Sequence, residues 1–143
     1  MTKQNDTIAL VGRILLAVLF LMSGLGKLAA PAATQGYIAA VGLPLPVAAY
    51  VGATGVEIIG GLLLIAGLQT RLVAAGLAVF TLLTAVFFHN NFADQNQMIH
   101  FMKNVAIMGG LLQVAVFGAG GFSLDRRFNR SVAVSTRPVA ATN

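Results

Sequence analysis

Apolar residues fall into four long blocks, Ile8–Ala30, Pro46–Ala66, Leu72–Phe88 and Ile99–Phe117, divided by short polar breaks. Each block is close to the ~17–25 residues with which a helix crosses a bilayer. The breaks carry Thr34, Gln35 and Gly36, then Gln69, Thr70 and Arg71, then the run from His89 to Gln97. This pattern predicts an all-α polytopic membrane protein, a single bundle of four transmembrane helices. Between the first two spans, Thr34–Val41 is too short and too mixed to cross. It reads as a short interfacial helix anchored by Tyr37, and Gly42–Pro46 as a turn leading into the next helix. Residues 1–7 form an N-terminal segment, 8–127 the membrane domain, and 128–143 a polar tail expected to be disordered.

Inside the second block, small residues recur four apart, Ala48 with Gly52 and Ala49 with Ala53, followed by Gly60 and Gly61. Small positions let helix backbones approach closely, which is how bundles pack in lipid. Tyr50, Ala53, Thr54, Glu57, Gly60 and Gly61 share one face by helical spacing. Glu57 therefore belongs to the packed side of span 2. Span 3 has only Thr81 and Thr84 as interior polar groups and exits at His89. Span 4 opens with His100, Lys103 and Asn104, read as one helical face, and repeats the small pair at Gly109 and Gly110.

Composition strengthens the reading. The chain of 143 residues is 57% hydrophobic and 9% charged, whereas soluble domains are roughly 25% charged. The net charge of +5 does not indicate a nucleic-acid partner, because the basic residues lie at span ends and in the tail rather than along one soluble face. Lys3, Arg71, Arg126, Arg127, Arg130 and Arg137 collect on one side of a four-span arrangement. The positive-inside rule then predicts both termini in the cytoplasm of a bacterial cell, with the chain in the inner membrane. Arg13 and Lys27 flank the first apolar core and argue for an uncleaved span rather than a signal peptide. With no cysteine, the chain has no thiol chemistry or iron–sulfur ligation of its own.

Ionisable groups at membrane depth are costly and are read first as functional. At 1.5 Å per residue, Glu57 lies about 15 Å from either surface. Arg13 lies about 8 Å from the cytoplasmic side, and Lys27 and Lys103 within about 6 Å of the outer side. Either Arg13 from below or a lysine from above is within snorkelling reach of Glu57. Arg13, Gly24 and Lys27 also occupy one narrow arc of span 1. Arg13, Lys27, Glu57, His89, Lys103 and Asn104 are thus the candidate polar path through the bundle. The competing reading is structural, a Glu–cation pair that only fixes helix pairing while the lysines snorkel outward. His89 and His100, with Asp94, lack the tight spacing of a metal motif and read as interfacial polar residues, so no metal site is expected.

Several segments resemble the DoxX family of small four-helix bacterial inner-membrane proteins. They are RILLAVLFLMSGLGKL (Arg13–Leu28), GLPLP (Gly42–Pro46), EIIGGLLLIAGLQTRLVAAGL (Glu57–Leu77), FFHN (Phe87–Asn90), KNVAIMGGLL (Lys103–Leu112) and GAGGFSLD (Gly118–Asp125). The resemblance implies a membrane partner in redox or oxidative-stress physiology rather than a complete enzyme, accompanying an oxidoreductase or stress enzyme. It also implies a second reading, a quinone-binding oxidoreductase subunit in which Glu57 exchanges protons. A third reading, a small-solute carrier or channel, requires more than four short spans and hence a homo-oligomer.

Overall fold

The computed structural model describes residues 2–128. It contains five helices, α1 (Lys3–Ala29), α2 (Pro31–Ala40), α3 (Pro46–Ala66), α4 (Thr70–Phe88) and α5 (Gln95–Phe117), and no strand among the described residues. Four of them, α1, α3, α4 and α5, are long and apolar enough to cross a membrane. Their outer surfaces carry bare Leu, Ile, Val, Phe and Met side chains throughout, as lipid-facing surfaces do. The polar tail predicted for 128–143 lies outside the described residues except for Phe128, which belongs to a short helical segment at 124–128.

The helices run past the apolar blocks because polar caps extend them. Thr2 accepts from the Asn5 amide at the start of α1, and Asp94 accepts from the Asn96 and Gln97 amides at the start of α5. Pro31 and Pro46 occupy first helical positions, where a missing N–H costs nothing. Gly67 ends α3 in the left-handed region, φ 67°. A Cβ there would lie 2.5 Å from Arg13 Nη1 and 2.6 Å from Ser123 Cβ, so both the backbone and the space require glycine.

α1 packs chiefly on α3, and α4 on α5, giving two helix pairs face to face. Small residues set the spacing. A Cβ at Gly24 would come within 2.7 Å of Ile58, and one at Gly61 within 2.9 Å of Leu21. Packing is uneven along the bundle. Ala17, Phe20, Leu64, Ala74, Leu77, Ala78 and Leu111 form a closed core in the half nearer the termini. The other half, beneath α2, contains a chamber.

Candidate functional site

The chamber has a volume of about 480 Å³ and lies between α1, α3, α4 and α5, with α2 as its roof. Leu19, Phe20, Phe80, Phe88 and Ile107 are among the apolar residues of its wall. Ile38 of α2 is buried beneath the roof. Tyr37 lies against Phe88, ring centroids 5.3 Å apart, and donates its hydroxyl to the Phe88 carbonyl at 3.3 Å. Tyr37 therefore fastens α2 to the end of α4, besides its expected place at the interface.

Glu57, at the middle of α3 and 4% exposed, reaches into this chamber. Lys27, from the last turn of α1, places Nζ 2.8 Å from both carboxylate oxygens. Ser23, one turn earlier on α1, accepts from Lys27 at 2.9 Å and donates to Glu57 Oε1 at 3.0 Å. The three side chains close a ring of hydrogen bonds in which a buried carboxylate meets a cation and a hydroxyl. Such closure is what makes a charge tolerable at this depth. The Lys27 side chain keeps 24% of its surface exposed, against 6% for Glu57, so the pair opens toward the roof.

Two further predicted residues line the same chamber from the opposite helix pair. His89, just beyond α4, hydrogen-bonds through Nδ1 to Gln97 Oε1 at 2.8 Å. Its ring stacks on His100 at 5.0 Å. Asn104 of α5 faces inward beside Ile107. Lys103 does not line the chamber. It is exposed on the outer surface of α5 because neighbours in a helix diverge by about 100°, so Asn104 and Lys103 cannot both turn in.

Arg13 lies in the opposite half of the bundle, away from Glu57. It is 1% exposed, donates from Nη1 to the carbonyls of Leu64 (2.9 Å) and Ile65 (3.2 Å), and from Nη2 to that of Phe122 (2.6 Å). These include carbonyls of the last α3 turn, which have no intrahelical partner. Asp125 lies in the same cluster and caps α4, accepting from the Gln69 amide at 2.7 Å and the Thr70 amide at 2.9 Å. Burial pushes the Asp125 carboxyl upward, but the Thr70 and Gln69 amides and the Arg13 charge outweigh it and hold it below its ordinary value. Asp6 completes the cluster, accepting from the Gly121 amide at 2.6 Å and pairing with Arg126 at 3.3 Å. This end is a clamp of charges on backbone, beside an open groove of about 1000 Å³ lined by Arg71, Asp125 and Arg126; the chamber end holds the more enclosed, aromatic-walled cavity.

Sequence reasoning overlooked Ser23, Tyr37's bond to Phe88, Gln97, Asp6 and Asp125. Ser23 had a signal, its four-residue spacing from Lys27 on one helical face. Asp125 had none, since its partners lie 55 and 56 residues away.

Four apolar helices around a largely apolar, ligand-sized chamber define a multi-pass membrane protein. The DoxX family matches residues 8–90, and the chain belongs to that family. It is 43% identical over 133 residues to the inner membrane protein YqjF of Escherichia coli (strain K12), covering 91% of this chain and 98% of that one. It is 35% identical over 128 residues to the inner membrane protein YphA of the same organism, covering 86% and 91%. No solved structure matches the chain significantly. The protein is an inner-membrane member of the DoxX family.

Proposed function

We propose that the protein binds a small, largely apolar ring compound of the quinone class in the chamber, serving as the membrane partner of an oxidoreductase or oxidative-stress enzyme. The observation that carries this reading is the Lys27–Glu57–Ser23 ring opening into an aromatic-walled chamber of about 480 Å³. Ligand sites have this character, apolar and aromatic walls with few convergent polar groups. A pair needed only for helix packing would be served by a closed interface. In this reading the Glu57 carboxylate, with Lys27 beside it, is the group that exchanges a proton with the ligand. Both termini lie on the cytoplasmic side, supported by Arg71, Arg126 and Arg127 on that face, so the chamber opens toward the outer leaflet.

The chain has no tryptophan, so Phe80→Trp places a single indole in the chamber wall. Titration of that variant in nanodiscs with decylubiquinone, oxidised and reduced, is expected to give saturable quenching by at least one form. Ala53→Phe, which fills the chamber from α3, is expected to abolish it. Absence of saturation, or saturation indifferent to Ala53→Phe, overturns the proposal.

A further inference from the structure

The hydrogen atoms of the chamber's polar side chains are almost all engaged within the protein. Lys27 directs three contacts to Ser23 Oγ and the two oxygens of Glu57, and Ser23 gives its own hydrogen to Glu57. On the opposite wall, Thr81 donates to the Leu77 carbonyl at 2.7 Å and Thr84 to the Thr81 carbonyl at 2.8 Å. In the roof, Thr34 donates to the Ala30 carbonyl and Tyr37 to that of Phe88. His89 is held in the same way. A carboxamide oxygen only accepts, so the bond from Nδ1 to Gln97 Oε1 places the proton of the neutral ring on Nδ1 and leaves Nε2 as an acceptor. What remains for a ligand is lone pairs, on Glu57 at one wall and on His89 and Thr84 at the other. Asn104, whose amide offers both donor and acceptor, is the exception.

A carbonyl oxygen entering this chamber finds a free donor only at Asn104 and otherwise faces acceptors, losing most of the hydrogen bonds it had in water. A hydroxyl finds partners. From this donor-depleted lining we infer that the chamber selects ligands that bring their own hydrogens. The preferred ligand is a phenol or hydroquinone, an aromatic ring with O–H groups, and within the quinone class the reduced form is held over the oxidised one. Two acceptor walls, Glu57 on α3 and His89 beyond α4, suit a ring with a hydroxyl at each end. The inference rests on the chamber being a ring-binding site, as proposed above, and adds which chemical form it reads.

The test uses the Phe80→Trp reporter in nanodiscs with two probe pairs, decylubiquinol (kept anaerobic) against decylubiquinone, and 4-nonylphenol against its methyl ether. The second pair is redox-inert and differs by one O–H. Each hydroxyl form is expected to bind about tenfold more tightly than its counterpart, the worth of one well-made hydrogen bond. His89→Phe in the reporter background is expected to reduce the ubiquinol preference to about threefold or less and to leave binding of the methyl ether unchanged. Equal binding within both pairs, or tighter binding of the quinone and the ether, overturns the inference while leaving a ring-binding chamber standing. A chamber that binds none of the four overturns both. A preference unchanged in His89→Phe removes His89 from the selection and overturns the two-wall reading.

Discussion

Lys27 and Glu57 meet across the α1–α3 interface with the ammonium 2.8 Å from each carboxylate oxygen, while Arg13, on the same helix α1, is engaged by backbone carbonyls in the opposite half. The two cations of α1 thus have different tasks. One neutralises a carboxylate beside a chamber; the other terminates a helix. Three expectations follow from these assignments and from the spacing of the helices around them.

Removing one member of the Lys27–Glu57 pair leaves its partner stranded. Lys27→Met is expected to lower stability by about 3 kcal/mol, the lower end of what a broken buried pair costs because Lys27 retains contact with the surface. Lys27→Met/Glu57→Gln should recover at least half of that loss, since no charge is then left without a counterion. Thermal unfolding of the wild type, Lys27→Met, Glu57→Gln and the double variant in one detergent gives the comparison. Losses that simply add would show that the two groups are not coupled.

The pair depends on the closeness of α1 and α3. A Cβ at Gly24 would lie 2.7 Å from Ile58 Cγ1 and 3.3 Å from Glu57 Cβ, while one at Gly52 meets nothing within 4 Å. Gly24→Ala is expected to cost about 1–3 kcal/mol, as overpacking does, and Gly52→Ala to be neutral or slightly stabilising. Melting temperatures of the two variants measured side by side decide it; an equal response would mean that the α1–α3 spacing is not set by Gly24.

Acid should act through Asp125. Its carboxyl is held below the ordinary 3.8 in the folded protein. The unfolded chain therefore takes up the proton first, so the Asp125 contribution is full above pH 3.8 and is lost as pH falls through the lower folded value. Asp125→Asn is expected to flatten stability across that window and to cost about 1 kcal/mol near neutral pH through the weakened α4 cap. Unfolding free energies from pH 2 to 7 for both proteins measure this, and a parallel acid loss in the variant would assign it to another group.

The span positions were readable because lipid imposes one rule on every residue of a helix, and four blocks of the right length satisfy it. Their ends were less readable. α1 and α5 begin several residues before Ile8 and Ile99 because Thr2 and Asp94 cap them, a local hydrogen bond that hydropathy does not register. In the site, depth and helical phase placed Glu57 on a packed face but left a choice between Arg13 and a lysine. Depth is a single coordinate, and cations stood within reach on both sides. What resolves the choice is lateral, the carbonyls of Leu64, Ile65 and Phe122 around Arg13, and backbone acceptors carry no side-chain signature. Lys103 corrects the phase reading itself, since spacing reads it and Asn104 as one face, yet about 100° of rotation leaves Lys103 outside the chamber that Asn104 lines.

The Arg13 clamp also has a bearing on how the protein is made. Residue 13 enters the membrane first, yet one of its acceptors is the carbonyl of residue 122, which follows the last span. Throughout synthesis of the intervening chain, a guanidinium near the start of span 1 lacks that partner and must be tolerated by lipid headgroups, water or assembly factors. Closure of the clamp is therefore a late event, available only to a chain whose four spans have all been inserted. A chain that ends before residue 122 keeps the Leu64 and Ile65 carbonyls for Arg13 but lacks this third acceptor.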